Sequence, residues 1–259
     1  MTRTRFASVV LLASLGLVAA GCQTQNPGTG GTTTAPATSA ASDPKMVLAA
    51  TGRHFDTASF TYTITIKDPE SGDTDAGGAS DPATKSRSLS FEQSIEGTKF
   101  TFDYRIIGTN RFFKIAGIPG MPDKFMKLDA TKISATADKS FSELEGPVAV
   151  AKVFDGIVDV TDAGGGKYTG TVDLTKVSNS MIVDDDHLKT LADKAKSVPF
   201  EATVDAQGRL TSLKLTMDPG KDELSMTFTK WGEPVSITEP PAAEVIDAPA
   251  QVYEIFNEI

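Results

Sequence analysis

"LSFEQSIEGTKFTFDYRI", residues 89–106, alternates apolar and polar residues on both sides of Glu96-Gly97. Such alternation is typical of a strand with one buried face, and a glycine allows the chain to turn back on itself. The stretch therefore predicts an antiparallel hairpin. Its apolar positions are Leu89, Phe91 and Ile95 in the first arm and Phe100, Phe102, Tyr104 and Ile106 in the second.

The same period of two recurs along the chain and predicts more strands of one sheet. A second hairpin is expected over Gln207-Gly208, because Leu213, Leu215 and Met217 alternate with polar residues there. The remaining predicted strands are "FTYTITI" at 60–66, "NRFFKIAG" at 110–117, "KFMKLD" at 124–129, "YTGTVDL" at 168–174, "LSMTFTKW" at 224–231 and "PVSIT" at 234–238.

Three segments have helical spacing instead. Residues 45–55 predict a leading helix, residues 138–158 predict a helical pair whose second part begins at Pro147, and residues 186–198 predict a further helix. Helices that interrupt runs of antiparallel strands indicate an α+β domain with the helices on one face of the sheet.

The N-terminus predicts export. Arg3 and Arg5 precede an uncharged apolar run at 6–20, which is shorter than the roughly 20 residues that span a bilayer as a helix. Ala19-Ala20-Gly21-Cys22 then resembles the lipobox of bacterial lipoproteins, with Ala19 where leucine is usual. The resemblance implies that residues 1–21 are a signal peptide and that Cys22 is acylated. An ordinary secreted protein with a cysteine in its signal is the alternative.

Residues 22–44 predict a flexible membrane tether, because after Cys22 they are small or polar, with no aromatic residue and no charge before Asp43. Two acyl chains anchor a protein stably. The expected location is therefore the extracytoplasmic face of the cell membrane, where the folded part would stand off from its lipid anchor.

The element order and two motifs resemble a known family. "VDAQGRLTSLKL" at 204–215 and "TKWGEPVSITEPP" at 229–241 are similar to the LppX/LprG-type lipoproteins of actinobacteria, which are related to the LolA/LolB-like lipoprotein carriers. The resemblance covers 45–241. It implies a curved antiparallel sheet, an unclosed half-barrel, with helices covering the concave face and a lipid-binding apolar cavity between them. The loop at 67–86 is longer than this fold needs, and the tail at 242–259 is an addition.

The apolar sheet face supplies the candidate ligand-binding residues. The chain has 14 phenylalanines but only four tyrosines and one tryptophan, so most of its aromatic side chains have no polar group. Large apolar side chains can line a cavity for hydrocarbon or form a packed core. A packed core is expected if the helices pack closely against this face, and a cavity is expected if they do not. The candidates are Tyr62, Ile64, Phe91, Phe102, Tyr104, Ile106, Leu213, Leu215, Met226 and Phe228.

The residues give little support to a nucleic-acid-binding, metal-binding or catalytic site. A net charge of −9 argues against nucleic acid as a partner. "DDDH" at 184–187 could suggest a metal site, but acidic residues before a helical pattern are typical of helix capping. "GDTDAGGASD" at 72–81 lacks the spacing of a calcium loop and is expected to be a flexible, solvated loop. No metal, cofactor or catalytic residue is predicted.

The sequence thus predicts a monomeric, non-enzymatic lipoprotein that binds or carries a lipid or glycolipid. A closed-core interaction module with an envelope protein as partner is the alternative, and a hydrolase ranks last because no nucleophile–base set is present.

In the tail, an amphipathic stripe at the C-terminus predicts a short helix that docks on the domain or binds a partner, or else a frayed end. The stripe consists of Val252, Ile255, Phe256 and Ile259.

Overall fold

The computed structural model describes residues 42–68, 72–95, 98–134, 147–177, 182–183 and 185–258. The predictions for the signal peptide, Cys22 and most of the tether lie outside these residues, as do those for 138–146, Asp184 and Ile259. Residues 42–259 form one compact unit. Within the described ranges, no helix has both the length and the apolar character needed to cross a bilayer.

In the described part of the chain, twelve strands, numbered β1 to β12 in sequence order, form a single sheet in the order β12-β6-β5-β4-β3-β2-β1-β11-β10-β9-β8-β7. The two end strands are not paired with each other, so the sheet is not closed, and every pair is antiparallel except β12 with β6. The strands are β1 Phe60–Lys67, β2 Thr74–Asp81, β3 Ser86–Ile95, β4 Thr98–Ile107, β5 Asn110–Ala116, β6 Phe125–Leu128, β7 Ile157–Gly164, β8 Lys167–Val172, β9 Val198–Val204, β10 Leu210–Asp218, β11 Asp222–Thr229 and β12 Val245–Asp247.

Short helices cover one face of this sheet. Their buried side chains, among them Leu48, Phe154 and Leu191, share a single hydrophobic core with the apolar strand residues. The fold class predicted from the sequence, an α+β unclosed half-barrel with helices on its concave face, is confirmed. Among the described residues, the helices are α1 Pro44–Ala50, α2 Gly52–Thr57, α3 Asp185–Leu191 and α4 Ala250–Glu258, with 3-10 helices at Ala130–Lys132, Pro147–Gly156, Leu174–Lys176, Ala192–Ser197 and Ala242–Glu244.

The helical segments are more broken than the sequence predicts. The leading segment divides into α1 and α2 at Thr51, whose hydroxyl donates to the carbonyl of Leu48 at 2.7 Å. Ile157 and Val198, placed in helices by their spacing, begin strands β7 and β9 instead. Strand β7 was missed because it is an edge strand with mostly exposed residues, so it lacks the alternation that marks its neighbours.

The segment at 67–86 was predicted to be a loop longer than the fold needs, flexible and solvated at 72–81, but it contains strand β2 between β1 and β3. The loop interpretation is therefore wrong. The sequence pattern did not predict this strand because Gly77, Gly78 and the other small residues of β2 have weak strand propensity. A glycine is required at position 78, because a side chain there would clash with its neighbours. A Cβ at this position would lie 2.0 Å from the carbonyl oxygen of Ser88 and 2.6 Å from the hydroxyl of Tyr62.

The prediction of a closing strand at 234–238 is also wrong. Residues 232–244, which we call the strap, contain no strand and cross the convex face of the sheet. The Gly232 amide donates to Ser59 at 2.7 Å, Arg105 donates to the Thr238 carbonyl at 3.4 Å, and Asn110 donates to Glu239 at 2.7 Å. Pro234, Pro240 and Pro241 lack amide hydrogens, so this segment is poorly suited to a hydrogen-bonded ladder.

The strap leads the chain to the concave side. After it, β12 pairs with β6 at the edge of the sheet, and α4 then packs Val252 and Tyr253 into the main core. Val252 is only 2% exposed, and the Tyr253 hydroxyl accepts a hydrogen bond from the Asp129 amide at 2.8 Å. The C-terminal segment therefore passes around the β6 edge from one face of the sheet to the other.

Candidate functional site: the concave face of the sheet

The strand register places all ten candidate residues on the same face of the sheet. Directly paired residues in adjacent antiparallel strands project to the same side, and alternate residues along a strand do so as well. Tyr62 pairs with Phe228, Ile64 pairs with Met226, and Met226 pairs with Leu213. Phe91 pairs with Phe102, which lies on the same side of β4 as Tyr104 and Ile106, and Leu215 pairs with Leu224.

One end of this face is tightly packed. Phe55 of α2 lies edge-on to three rings, with centroid distances of 5.2 Å to Phe60, 5.0 Å to Phe228 and 5.0 Å to Trp231. The Trp231 indole also donates to the Leu210 carbonyl at 3.1 Å. Because all four rings are buried, we call this region the closed end. It leaves no room for a ligand among the rings.

The middle of the face is buried too. Tyr62 at 5% exposure, Leu89 at 6% and Tyr104 at 3% form a row that continues across the sheet into Phe113 and Met126. The Tyr62 ring extends over Gly78, and its hydroxyl donates to the Ser88 carbonyl at 2.8 Å. Burial raises the pKa of this hydroxyl, and the positive charge of Arg87 opposes that effect.

Burial decreases toward the other end of the strands. Phe91, Phe102 and Ile115 lie on adjacent strands of the same face but are only half-buried, as is Ile66 at the end of β1. The Phe91 and Phe102 rings stack at 5.0 Å. This region, which we call the open end, presents contiguous apolar surface that the packed elements only partly cover. It is the part of the predicted site that could admit a hydrocarbon ligand.

The structure thus divides the candidate residues into two groups. Eight are buried in the common core, and Phe91 and Phe102 are at the open end. Sequence reasoning missed Ile66 and Ile115 at that end. The signal was available, because Ile66 continues the alternation of Tyr62 and Ile64, and Ile115 is in phase with Phe113 in "NRFFKIAG".

His187 of the "DDDH" motif lies beside the first residue of β11. Asp185 and Asp186 lie in the first turn of α3, and His187 Nε2 lies 2.8 Å from Oδ2 of the buried Asp222. Leu191 of the same helix is buried in the core. In the described part of the chain, no three His, Cys, Asp or Glu side chains are grouped as metal ligands.

Several solved structures of other proteins are similar to the structure of this chain. The lipoprotein LppX of Mycobacterium tuberculosis matches with 17% identity and a TM-score of 0.41, over 75% of this chain and 96% of that one. The fold resembles that of LppX. At this identity the similarity concerns the fold alone.

Two further solved structures match at lower similarity. A LolA superfamily protein from Nitrosomonas europaea has 7% identity and a TM-score of 0.26, over 81% of this chain and 96% of that one. A DUF1329 family protein from Desulfovibrio piger has 9% identity and a TM-score of 0.26, over 75% of this chain and 93% of that one. No family model matches the sequence, and no curated protein does.

Proposed function

We propose that this protein is a membrane-anchored extracytoplasmic lipoprotein that binds a lipid-like apolar ligand at the open end of its concave face, without catalysing a reaction. The observation that carries the proposal is the gradient of burial along this face. Phe55 and Phe60 are 0% exposed at the closed end, whereas Phe91, Phe102 and Ile115 are only half-buried at the open end. An acyl chain on these three side chains would remove apolar surface from water, at about 0.8 kcal/mol per buried methylene.

The anchor part of the proposal rests on the N-terminal sequence. Arg3 and Arg5, the apolar run at 6–20 and Cys22 together support lipidation. Cys22→Ser should abolish labelling by a fatty-acid analogue and leave precursor or released protein. A variant that keeps both its acyl label and its membrane fractionation would exclude Cys22 as the anchor.

The ligand part is tested by what the protein carries. Residues 42–259, produced without the signal and purified without detergent, should retain host lipid that native mass spectrometry detects. Ile115→Trp should fill the open end, because a ring placed in unoccupied space costs little, whereas overpacking a full core costs about 1–3 kcal/mol. We expect this variant to lose lipid and keep its melting temperature.

Thr101→Trp is the matched control. Thr101 precedes Phe102 on β4 but is exposed and projects to the convex face, so a ring there should leave both lipid content and stability unchanged. If the parent protein never carries lipid and Ile115→Trp is strongly destabilised, the open end is a packed core. The closed-core interaction module would then replace the carrier as the function.

A further inference from the structure

A pocket lies on the convex face, between the strap and the strands beneath it, and we call it the strap pocket. Its volume is about 330 Å³, at the small end of the range of roughly 300–1,000 Å³ that ligand pockets occupy. This size suits one small molecule or one unit of a larger one. The residues that line the pocket are Gly77, Gly78, Ser88, Ser90, Asp103, Arg105, Ser236, Ile237 and Thr238.

The strand register brings four polar side chains together on the floor of the pocket. Ser90 lies directly opposite Asp103, and Ser88 lies directly opposite Arg105, on the adjacent strands β3 and β4. These four positions alternate with those of the concave face, so their side chains project from the convex face. Directly opposite residues have Cβ atoms about 4.5–5.5 Å apart. Gly77, opposite Ser90 on β2, adds no side chain, so the pocket extends over its backbone.

The two charged groups of the lining neutralise each other. Arg105 donates from Nε and Nη2 to the two carboxylate oxygens of Asp103, at 3.2 and 3.1 Å. Cζ of Arg105 also lies 4.6 Å from the centre of the Phe125 ring, which holds the guanidinium in place. Lys114, opposite Asp103 on β5, is ion-paired with Asp123 at 2.8 Å. The pocket lining therefore has no net charge, which disfavours an ion as its ligand.

The roof of the pocket is fastened on both sides of residues 236–238. Before them, the Gly232 amide donates to the Ser59 carbonyl at 2.7 Å. After them, the Asn110 side chain donates to the Glu239 carboxylate at 2.7 Å. The roof and the floor are thus held in position without a ligand. A site that is already ordered loses less entropy on binding than one that must first be ordered.

The pocket offers hydrogen-bond donors and acceptors side by side. Within the described ranges, the hydroxyls of Ser90, Ser236 and Thr238 have no hydrogen-bond partner. An ionised carboxylate has about four lone-pair sites, so the Asp103 oxygens can accept further bonds besides the two from Arg105. The side chains around the pocket can therefore both donate and accept. Adjacent hydroxyl groups on a sugar ring match this arrangement, because each of them donates one bond and accepts others.

We propose that the strap pocket binds the ring of a neutral sugar. Ring hydroxyls donate to the Asp103 carboxylate and accept from the Arg105 guanidinium, and the half-buried Ile237 supplies an apolar contact for the C–H groups of the ring. The ring belongs either to a free sugar or to the terminal unit of a glycan. This site is on the opposite face of the sheet from the open end and does not rest on the lipid-carrier function.

Binding of single sugars to the full chain tests the site. Saturation-transfer NMR is carried out in a polyoxyethylene detergent, which has no sugar headgroup, with D-glucose, D-galactose and D-mannose in turn. We expect at least one of these hexoses to receive saturation from the protein. Ser90→Leu should weaken its binding by roughly tenfold or more, because the larger side chain fills the space opposite Asp103 and blocks the carboxylate.

Thr227→Leu is the matched control. Thr227 alternates with Met226 and Phe228 on β11, so it is an exposed residue of the convex face, and it lies outside the pocket lining. A leucine there should leave sugar affinity unchanged, and both variants should keep the melting temperature of the parent. Equal weakening of sugar binding in the two variants would contradict a site at Ser90.

Asp103→Asn tests whether the ligand is neutral. The amide keeps the shape of the carboxylate but leaves the Arg105 charge without its partner. Sugar binding should weaken roughly tenfold, because a charged acceptor of ring hydroxyls is lost. Inorganic phosphate, in contrast, should bind more tightly to the variant than to the parent. A parent that binds phosphate more tightly than every hexose overturns the assignment to a neutral sugar.

The methyl glycoside of the hexose that binds distinguishes the two sources of the ring. Equal affinity for the hexose and its methyl glycoside supports the site and assigns it to the terminal unit of a glycan, because the glycoside has no free anomeric hydroxyl. Binding of the hexose alone supports the site and assigns it to a free sugar. If none of the three hexoses and none of their methyl glycosides binds, the proposal is overturned.

Discussion

The Tyr62 ring lies so close to Gly78 that a Cβ on residue 78 would be 2.7 Å from the ring carbon that bears the hydroxyl. The contact explains how a strand of small residues fits between β1 and β3. Tyr62 extends over the space that a side chain on β2 would fill, and it reaches the Ser88 carbonyl on the next strand at 2.8 Å. One side chain thereby stabilises three adjacent strands.

Gly78→Ala should be destabilised by about 1–3 kcal/mol, because the new methyl group would overlap Tyr62 and the Ser88 carbonyl. Chemical denaturation measures the loss. Gly77→Ala is the control, since its Cβ would meet only the Tyr62 carbonyl oxygen, at 3.3 Å. Equal destabilisation of the two variants would contradict the steric role of Gly78.

The free energy of unfolding should decrease above pH 10. Burial raises the pKa of Tyr62 in the folded state, so the unfolded chain, with a pKa near 10, loses this proton first. The stability that depends on the neutral hydroxyl is complete below pH 10 and decreases as the pH rises, by up to about 1.4 kcal/mol per pH unit for one proton.

Tyr62→Phe should have a flatter alkaline profile than the parent. Some dependence should remain, because burial and then Asp162 also raise the pKa of Tyr168. Urea denaturation at pH 8, 10 and 11 provides the comparison. Parallel curves for parent and variant would show that Tyr62 does not contribute to the alkaline loss.

Deletion of residues 248–259 should lower the stability of the domain. Val252 and Tyr253 are buried in the main core, and burial of one apolar side chain is worth about 1.5–3 kcal/mol before the ordering entropy is subtracted. Val252→Ala should reproduce part of this loss in the melting temperature. Gln251→Ala, at an exposed position of the same helix, should have no effect.

Tyr253→Phe isolates the hydrogen bond between α4 and the residue that follows β6. It keeps the ring and removes the acceptor of the Asp129 amide, so we expect a loss of about 0.5–1.5 kcal/mol. Amide exchange at residue 129 should accelerate in this variant. An unchanged exchange rate would show that α4 does not hold that amide.

Ser80→Ala should leave stability unchanged or raise it. The Ser80 side chain is fully buried, and its hydroxyl has no hydrogen-bond partner among the residues that the structure describes. A buried hydroxyl without a partner costs free energy that an alanine avoids. A clear decrease in melting temperature would indicate that the hydroxyl has a partner.

The alternation of apolar and polar residues was sufficient to predict β1, β3, β4 and β5. This alternation can be recognised within one segment, whichever strands lie next to it in the sheet. It also assigned the ten candidate residues to one face. It failed for β2, where Gly77 and Gly78 carry no pattern, and for β7, where exposure on both sides removes the alternation. It failed at 234–238 because an extended segment with prolines at its ends resembles a strand in sequence.

The sequence by itself determined which segments become strands and which face of them is apolar, because both follow from the spacing of side chains along a single strand. The tertiary structure decided that β2 lies beneath Tyr62, that the strap crosses the convex face, and that α4 packs on the concave side. It also decided that Phe60 is sealed by Phe55 while Phe91 and Phe102 are only half-covered. These features depend on contacts between residues far apart in the chain, and the period of one segment contains no information about which distant segment will cover it.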